Sequence, residues 1–275
     1  MPSGTLGPTR VVPLRRPGLW LGSTAVVVLL VMLAVSIYRN PNIDHAAIVK
    51  YQFAPAILTG LRTTIILAVL AAVIGLVLGV VLAVMRLSAS WVLRLGSGFY
   101  TWLVRGTPLL VQILLWGNLA LLFQHIGPFD TNSLMTPFVA SVVALGLNEG
   151  AYMAEIVRAG ILAVDRGQYE ASLSLGMPRT LAMRRIILPQ ALRVIIPPTG
   201  NQFISLLKAT SLVSVIAGGD LLTQAENISS ANLRTIELML VATFWYLVLT
   251  TITSIGQYFI ERRMARSGTS MHGGR

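Results

Sequence analysis

Long runs of residues without any charge are the feature that most restricts how this chain can fold. Five segments lack Asp, Glu, Lys and Arg for about 18 residues or more, and a sixth is interrupted only by Lys208. The charge-free segments are 18–38, 63–85, 106–129, 131–148 and 238–260, and the interrupted segment is 194–219. About 20 apolar residues cross the roughly 30 Å hydrocarbon core of a bilayer. The sequence therefore predicts an all-α membrane protein with about six transmembrane helices.

Composition supports this interpretation, because charged residues make up 11% of the chain and hydrophobic residues 55%. A soluble domain carries about 25% charged residues. A secretory signal peptide is the alternative for segment 18–38. However, the apolar run is longer than a signal peptide needs, and no small-x-small cleavage site follows it. Trp20 and Tyr38 also bracket the segment at the spacing of interfacial anchors, which favours a membrane helix.

The distribution of basic residues predicts the topology. With the N-terminus in the cytoplasm, 16 of the 21 Lys and Arg residues fall on cytoplasmic segments. This is the positive-inside bias, and it predicts that both termini of a multi-pass membrane protein lie in the cytoplasm. The net charge of +11 then reflects topology and not a nucleic-acid surface. The chain has no cysteine, which excludes disulfides, thiol chemistry and Cys-based metal sites.

A polar stretch bounded by helix breakers interrupts this apolar chain at 165–190. Asp165 is a candidate N-cap for a short helix, and Gly176 fits a left-handed position after its end. Pro178 can begin a second short helix, and Pro189 is expected to end or kink it. The residues alone are consistent either with a cytoplasmic loop packed on its own helix ends or with a docking site for another protein.

The same stretch carries a recognisable motif. It has the form E-A-S-x-x-x-G, nine residues, then I-x-L-P, made by Glu170, Ala171, Ser172, Gly176, Ile186, Leu188 and Pro189. The pattern resembles the EAA loop of ABC importer permeases, with Ser172 in place of the family's second alanine. Three further motifs resemble the polar amino acid importers of that family: RGTPLLVQ at 105–112, AYMAEIVRAG at 151–160 and KATSL at 208–212.

The resemblance implies a type I importer permease with a five-helix core and one additional N-terminal helix. Tails would occupy 1–17 and 266–275, the additional helix and an external linker 18–54, and the permease domain 55–265. The loop at 165–190 would contain a coupling helix around Glu170 that fits a cleft of a cytoplasmic ATPase.

Such a permease works with partners. The resemblance implies two ATPase subunits, a second permease subunit (identical or related), an extracytoplasmic amino acid binding protein and membrane lipid, with no nucleic acid. ATP and Mg would bind to the partner ATPase, because this chain contains no phosphate-binding P-loop motif and has only two lysines. We therefore expect a transport subunit without enzymatic activity or a cofactor of its own.

Several polar residues are predicted to lie within the membrane. Glu149 lies about 14 residues from Met135, which is roughly 20 Å along a helix, and an intramembrane carboxylate is a functional candidate by default. Asn148, Tyr152 and Glu155 share one face of the same helix. Glu155 and Arg158 have the i, i+3 spacing of an ion pair that would hold the helix.

Lys208 is predicted about 14 residues into the helix that begins near Val194, at a similar depth. One hypothesis is that Glu149 attracts a substrate ammonium while Lys208 or Ser211 attracts its carboxylate from the opposite wall of one cavity. Gate or packing roles are the alternative, and the Ser211 hydroxyl can also bond its own helix backbone.

Two other classes of protein remain to be compared with the importer permease. An ATP-independent secondary transporter or channel would account for the buried charges but not for the cytoplasmic motif. An intramembrane enzyme is disfavoured because His45, His125 and His272 all lie outside the deep helical positions, and H-E-x-x-H and G-x-S-x-G motifs are missing from the sequence.

Overall fold

The computed structural model describes residues 17–266, so the predicted tails lie outside the described residues apart from Pro17 and Arg266. Almost all of this range is helical. The α-helices are α1 (Pro17–Tyr38), α2 (His45–Gln52), α3 (Pro55–Leu87), α4 (Trp91–Gly106), α5 (Leu109–Gly117), α6 (Leu119–Leu122), α7 (Thr131–Leu134), α8 (Pro137–Leu162), α9 (Arg166–Ser174), α10 (Arg179–Ala182), α11 (Leu188–Ala209), α12 (Leu221–Asn232) and α13 (Thr235–Arg266). A π-helix (Met183–Ile187) precedes α11, and a 3₁₀ helix (Thr210–Ile216) follows it. The strands β1 (His125–Ile126) and β2 (Phe129–Asp130) form one antiparallel pair.

The chain divides into two compact units, Met1–His45 and Ala46–Arg275. Within the first unit, α1 is apolar all round, and the side chains of residues 26–33 are each at least half exposed. Most of the linker predicted to accompany α1 belongs instead to the second unit. The reason is that Ala47 is buried, and Ile48 and Tyr51 pack against a hydrophobic cluster of α3, α12 and α13.

Length and composition identify fewer uninterrupted spans than the six segments predicted. Among the described residues, α3 and the 235–264 part of α13 are long and apolar enough to cross a membrane. A third candidate is the broken pair 179–216 and 221–232, which is bent by 42°. The count of six is reached only by including α1, the interrupted α4–α5 segment and the charge-bearing α8.

The sequence-based assignment of one helix to segment 106–129 is wrong. Helix α4 ends at Gly106, α5 begins after Pro108, and the remainder forms α6 and the β1–β2 hairpin. Pro108 cannot donate a backbone hydrogen bond and disfavours helical geometry in the preceding residue. Gln112 compensates for the break, because its Nε2 donates to the Val104 carbonyl oxygen at 2.7 Å and to Thr107 Oγ1 at 2.8 Å.

Helices α3 and α8 approach each other closely through two reciprocal pairs of glycines. A Cβ added at Gly79 would lie 2.4 Å from Met153 Cβ, and one at Gly75 would lie 2.3 Å from Glu149 Cγ. In the other direction, Cβ atoms added at Gly146 and Gly150 would lie 2.8 Å from Ile74 and 2.6 Å from Leu78. Each helix therefore inserts side chains over the other helix's glycines, which is the close packing that helices in membranes rely on.

A buried carboxylate, Asp220, fastens α12 to its neighbours. It is fully buried and caps α12 by accepting the N–H groups of Leu222 at 3.0 Å and Thr223 at 3.2 Å. Tyr246 of α13 donates its hydroxyl to the same carboxylate at 3.1 Å. The sequence predicts that segment 220–237 lies outside the membrane with one short helix. The structure contains that helix. However, Asp220, the first residue of the segment, is buried inside the protein, where its carboxylate accepts four hydrogen bonds.

We expect Gly79→Ala to destabilise the protein, because overpacking a tight contact typically costs about 1–3 kcal/mol. Gly96→Ala in α4 is the matched control, since a Cβ there would have no neighbour within 4 Å and alanine favours helix by about 0.5–1 kcal/mol. Thermal unfolding in detergent should show a lower midpoint for Gly79→Ala alone. Equal midpoints would contradict the close packing.

Candidate functional site

A polar cavity of about 570 Å³ lies where α8, α11 and the α4–α5 break meet. Its polar lining residues are Arg105, Thr107, Asn148, Glu149, Tyr152, Gln202 and Ser205. Polar groups in a membrane-spanning region normally face the protein interior or a water-filled path. The cavity is therefore the candidate site for a polar molecule, and we refer to it as the polar cavity.

Two residues of α8 are held in place by amide side chains from neighbouring helices. Asn148 Nδ2 donates to Gln112 Oε1 at 3.2 Å, and Gln202 Nε2 of α11 donates to Glu149 Oε2 at 3.0 Å. Glu149 is only 3% exposed. The carboxylate thus lies inside the protein.

Opposite charges border the polar cavity. Arg105, at the end of α4, lies with its guanidinium carbon 5.3 Å from the centre of the Tyr152 ring, within the range of a cation–π contact. Glu149 lines the same cavity from α8. A cation and an anion in one cavity suit a ligand that itself carries both charges.

Lys208 and Ser211 do not line the polar cavity. Lys208 is exposed, and the Ser211 hydroxyl donates to the Lys208 carbonyl oxygen at 2.8 Å. At 100° per residue, Lys208 points about 120° away from Gln202 but only about 60° away from Ser205, so it lies beside the polar cavity and not in its lining. The structure therefore places Gln202 and Ser205, and not Lys208 or Ser211, on the α11 wall.

Sequence reasoning missed five polar residues that line or support the cavity: Arg105, Thr107, Gln112, Gln202 and Ser205. Arg105 and Gln112 are the first and last residues of the RGTPLLVQ motif, which marked them without assigning a role. Gln202 and Ser205 have the i, i+3 spacing of one helical face in an apolar segment. That polar spacing is the signal that could have identified them.

Glu155 and Arg158 form an ion pair, with Arg158 Nη2 2.8 Å from Glu155 Oε2. The two side chains are 26% and 33% exposed respectively. A partly exposed i, i+3 pair contributes little, on the order of 0.3–0.5 kcal/mol. That the pair holds the helix stays a prediction.

The 165–190 loop contains the predicted helix, turn and second helix. Asp165 caps α9 by accepting the Gly167 N–H at 2.6 Å, and Gly176 adopts φ +78° after the helix ends. Glu170 and Ala171 are exposed, whereas Ser172 is 3% exposed and donates to the Tyr169 carbonyl oxygen at 2.6 Å. Leu175 projects from the turn and is 83% exposed.

The C-terminal part of the motif is continuously helical, whereas the sequence predicts that Pro189 ends or kinks the helix. Ile186 lies in the π-helix, and Leu188 and Pro189 lie in the first turn of α11. Pro189 therefore does not end the helix, because a proline is tolerated in the first turn, where its N–H has no intrahelical partner. The π-helix provides the extra residue that joins α10 to α11 without a break.

A second cavity, of about 490 Å³, adjoins Glu149 on the side of α3 and α13. Its lining is mainly apolar: Val69, Ala72, Val73, Leu76, Met153, Phe203 and Ile260, with Thr199, Thr253 and Gln257 as polar members. We refer to it as the apolar cavity. Glu149 lines both cavities and so lies on the border between them.

Within residues 17–266, no cluster of three or more His, Asp or Glu side chains is arranged to hold a metal ion.

Comparison with known proteins identifies similar sequences and folds. Residues 75–266 match the family described as "Binding-protein-dependent transport system inner membrane component". The arginine transport system permease protein ArgU of Corynebacterium glutamicum is 43% identical over 268 residues, covering 95% of this chain and 85% of the relative. The L-cystine transport system permease protein TcyB of Bacillus subtilis is 40% identical, covering 80% and 91% respectively.

Solved structures of ABC transporters are also similar to this chain. One described as an amino acid ABC transporter with histidines is 41% identical, has a TM-score of 0.73, and covers 80% of this chain and 99% of its own. A bacterial ABC transporter that imports the acidic polysaccharide alginate is 15% identical, with a TM-score of 0.63, covering 89% and 98%. The second likeness concerns the fold alone. Together they identify the fold as that of a type I ABC importer permease.

We expect Gly176→Val to disturb the 165–190 loop, because a β-branched residue is strained at positive φ. Gly176→Asn should be milder, since asparagine adopts the left-handed conformation readily. Limited proteolysis of the protein in detergent should cleave the loop faster in the valine variant than in the asparagine variant. Equal cleavage rates would contradict a role for the left-handed turn.

Proposed function

The chain belongs to the family of binding-protein-dependent transport system inner membrane components, and we propose that it is the permease subunit of an ATP-driven importer of polar amino acids. One observation carries this proposal. The helices border a polar cavity of about 570 Å³ with Arg105 on one element and Glu149 on another. An α-carboxylate would lie toward Arg105, and an ammonium or other cationic group would lie toward Glu149.

Charge-assisted hydrogen bonds from Arg105 to the substrate carboxylate, and from the substrate cation to Glu149, would favour this orientation. Such bonds are about twice as strong as neutral ones. Asn148 and Tyr152 also line the cavity and offer polar contacts between the two charges. The names of the relatives support the substrate class, since the two above are an arginine and an L-cystine transport permease.

A second permease subunit would complete the path. The exposed face of α11 carries Asn201, Ser205 and Lys208 at i, i+4 and i+7. Three polar residues on one exposed face of a membrane helix are costly against lipid. Ser205 also lines the polar cavity, so this face continues it. We assign the Asn201–Lys208 face to the water-filled path between two permeases, with Lys208 and Ser211 near that path.

Energy would come from two ATPase subunits that bind ATP and Mg, each holding one 165–190 loop. Helix α9 with Glu170 and Ala171 exposed, followed by Leu175 on the turn, supports this docking role. From α10 the chain continues through the π-helix into α11, which reaches the polar cavity at Gln202. A movement of the docked loop would therefore displace one wall of the cavity.

The loop and both termini would be cytoplasmic, and an extracytoplasmic binding protein would deliver the substrate to the opposite side of a bacterial plasma membrane. The N-terminal helix α1 would be additional to the five-helix permease core of residues 55–265. Hydrolysis of ATP would take place on the partner, which leaves this chain without an enzymatic activity.

Copurification tests the docking role. An ATPase subunit should accompany the tagged chain from its native membrane and be lost in Leu175→Asp and in Glu170→Arg, since both remove contacts of the exposed helix. Leu233→Asp is the matched control, because Leu233 is likewise exposed (88%) after a helix end but lies between α12 and α13. Retention of the ATPase by both loop variants, or its equal loss in the control, would contradict the proposal.

Reconstitution tests transport. The complete complex with binding protein should take up radiolabelled arginine or glutamine only with ATP on the ATPase side. Glu149→Gln should reduce arginine uptake about tenfold or more, since a hydrogen bond to a charged group contributes on the order of 1.5–3 kcal/mol. Uptake by vesicles that contain only this chain would favour a secondary transporter instead.

A further inference from the structure

We propose that Gly75 and Gln202 are positioning residues that fix the Glu149 carboxylate at the border of the two cavities, and so determine which cationic side chains the path accepts. The proposal rests on the function proposed above, in which Glu149 faces the cationic group of the substrate. It concerns two residues that do not themselves carry charge. Gly75 acts from α3 and Gln202 acts from α11.

Gly75 provides the space that the Glu149 side chain occupies. A Cβ at position 75 would lie 2.3 Å from Glu149 Cγ, 2.6 Å from its Cβ and 3.2 Å from its backbone carbonyl carbon. The two nearest atoms are close to the α8 backbone, so they cannot move aside as the tip of a flexible side chain could. Any side chain at position 75 must therefore displace the Glu149 side chain or separate α3 from α8.

Gln202 holds the other end of the same side chain. Its Nε2 donates to Glu149 Oε2 at 3.0 Å across the contact between α11 and α8. Gln202 also lines the polar cavity, so this hydrogen bond draws the carboxylate toward that cavity. The steric constraint acts near the Glu149 backbone, and the hydrogen bond acts at the carboxylate. Together they leave the charged group little freedom.

The apolar cavity makes the alternative position of the carboxylate unfavourable. Rotation away from Gln202 would bring the carboxylate toward a cavity lined mainly by side chains such as Val73, Leu76 and Phe203. The polar members Thr199, Thr253 and Gln257 direct their donors to other acceptors. A carboxylate without hydrogen-bond donors in an apolar environment is strongly disfavoured. Glu149 is therefore expected to face the polar cavity in a defined position, which sets the distance from Arg105 to the negative charge.

A change in that distance should alter how strongly the path discriminates between amino acids whose cationic side chains differ in length. The test uses the complete complex reconstituted with its ATPase and binding protein, and measures uptake of radiolabelled arginine. Competition by unlabelled arginine, lysine and ornithine gives the ratios of their inhibition constants. Measuring these ratios at saturating binding protein keeps the selection step of the partner constant across variants.

Gly75→Ala should shift the arginine-to-ornithine ratio about tenfold or more, which is the range that one methylene of misfit produces in a binding pocket. Gly79→Ala is the matched control, because it lies one turn away on α3 and creates a similar clash, 2.4 Å from Met153 Cβ, without touching Glu149. We expect both variants to lose similar thermal stability, and only Gly75→Ala to change the ratio.

Gln202→Leu provides a second variant with no steric clash at the α3–α8 contact. It removes the donor to Glu149 and should therefore shift the ratio. The unpaired carboxylate should also lower thermal stability, but without altering the α3–α8 contact. The proposal is overturned if Gly75→Ala and Gly79→Ala change uptake equally at an unchanged ratio, and equally if Gln202→Leu keeps the wild-type ratio.

The failure of the proposed function would be distinguishable from the failure of this inference. A wild-type complex without ATP-driven uptake would contradict the importer assignment itself. Normal uptake and unchanged ratios in Glu149→Gln would remove the role of the carboxylate and overturn this inference with it. Altered ratios in Glu149→Gln, but wild-type ratios in the Gly75 and Gln202 variants, would overturn only the positioning role.

Discussion

The close contact between α3 and α8 is the constraint on which the rest of the second unit depends. Apolar helices in a bilayer gain little from the hydrophobic effect when they associate, so shape complementarity must hold them together. The two glycine pairs supply it, because Gly79 receives Met153 and Gly150 receives Leu78. One of these contacts, Gly75 against Glu149, places a carboxylate inside the membrane-embedded region as part of the packing itself.

Satisfaction of buried polar groups explains the remaining architecture. Without water in the hydrocarbon core, each polar group must find a partner within the protein. Gln112 covers the break before α5 and accepts from Asn148, and Gln202 donates to Glu149. The carboxylate of Asp220 accepts four donors where α12 begins. Irregular backbone thus occurs where side chains are available to compensate for it.

Local chemistry explains which features could be predicted from the sequence. The Asp165 cap and the left-handed Gly176 follow from residue types within a few positions of each other, and the structure contains both. The family and its helical fold followed from the motif that ends at Pro189. By contrast, the orientation of Lys208 depends on how α11 is rotated against α8, which no local pattern determines. Glu149 was identified by depth alone, whereas its partner Gln202 lies on a different helix.

The contact between Gly75 and Glu149 also limits how this site can diverge in sequence. The atoms that a Cβ at position 75 would meet are the Cβ and Cγ of residue 149. A carboxylate, an amide or a thioether at position 149 would all retain those two atoms. The chemistry at position 149 can therefore change from one relative to another while position 75 stays glycine. A larger residue at position 75 would require glycine at position 149 or a wider spacing of α3 and α8, so position 75 can change only together with its surroundings.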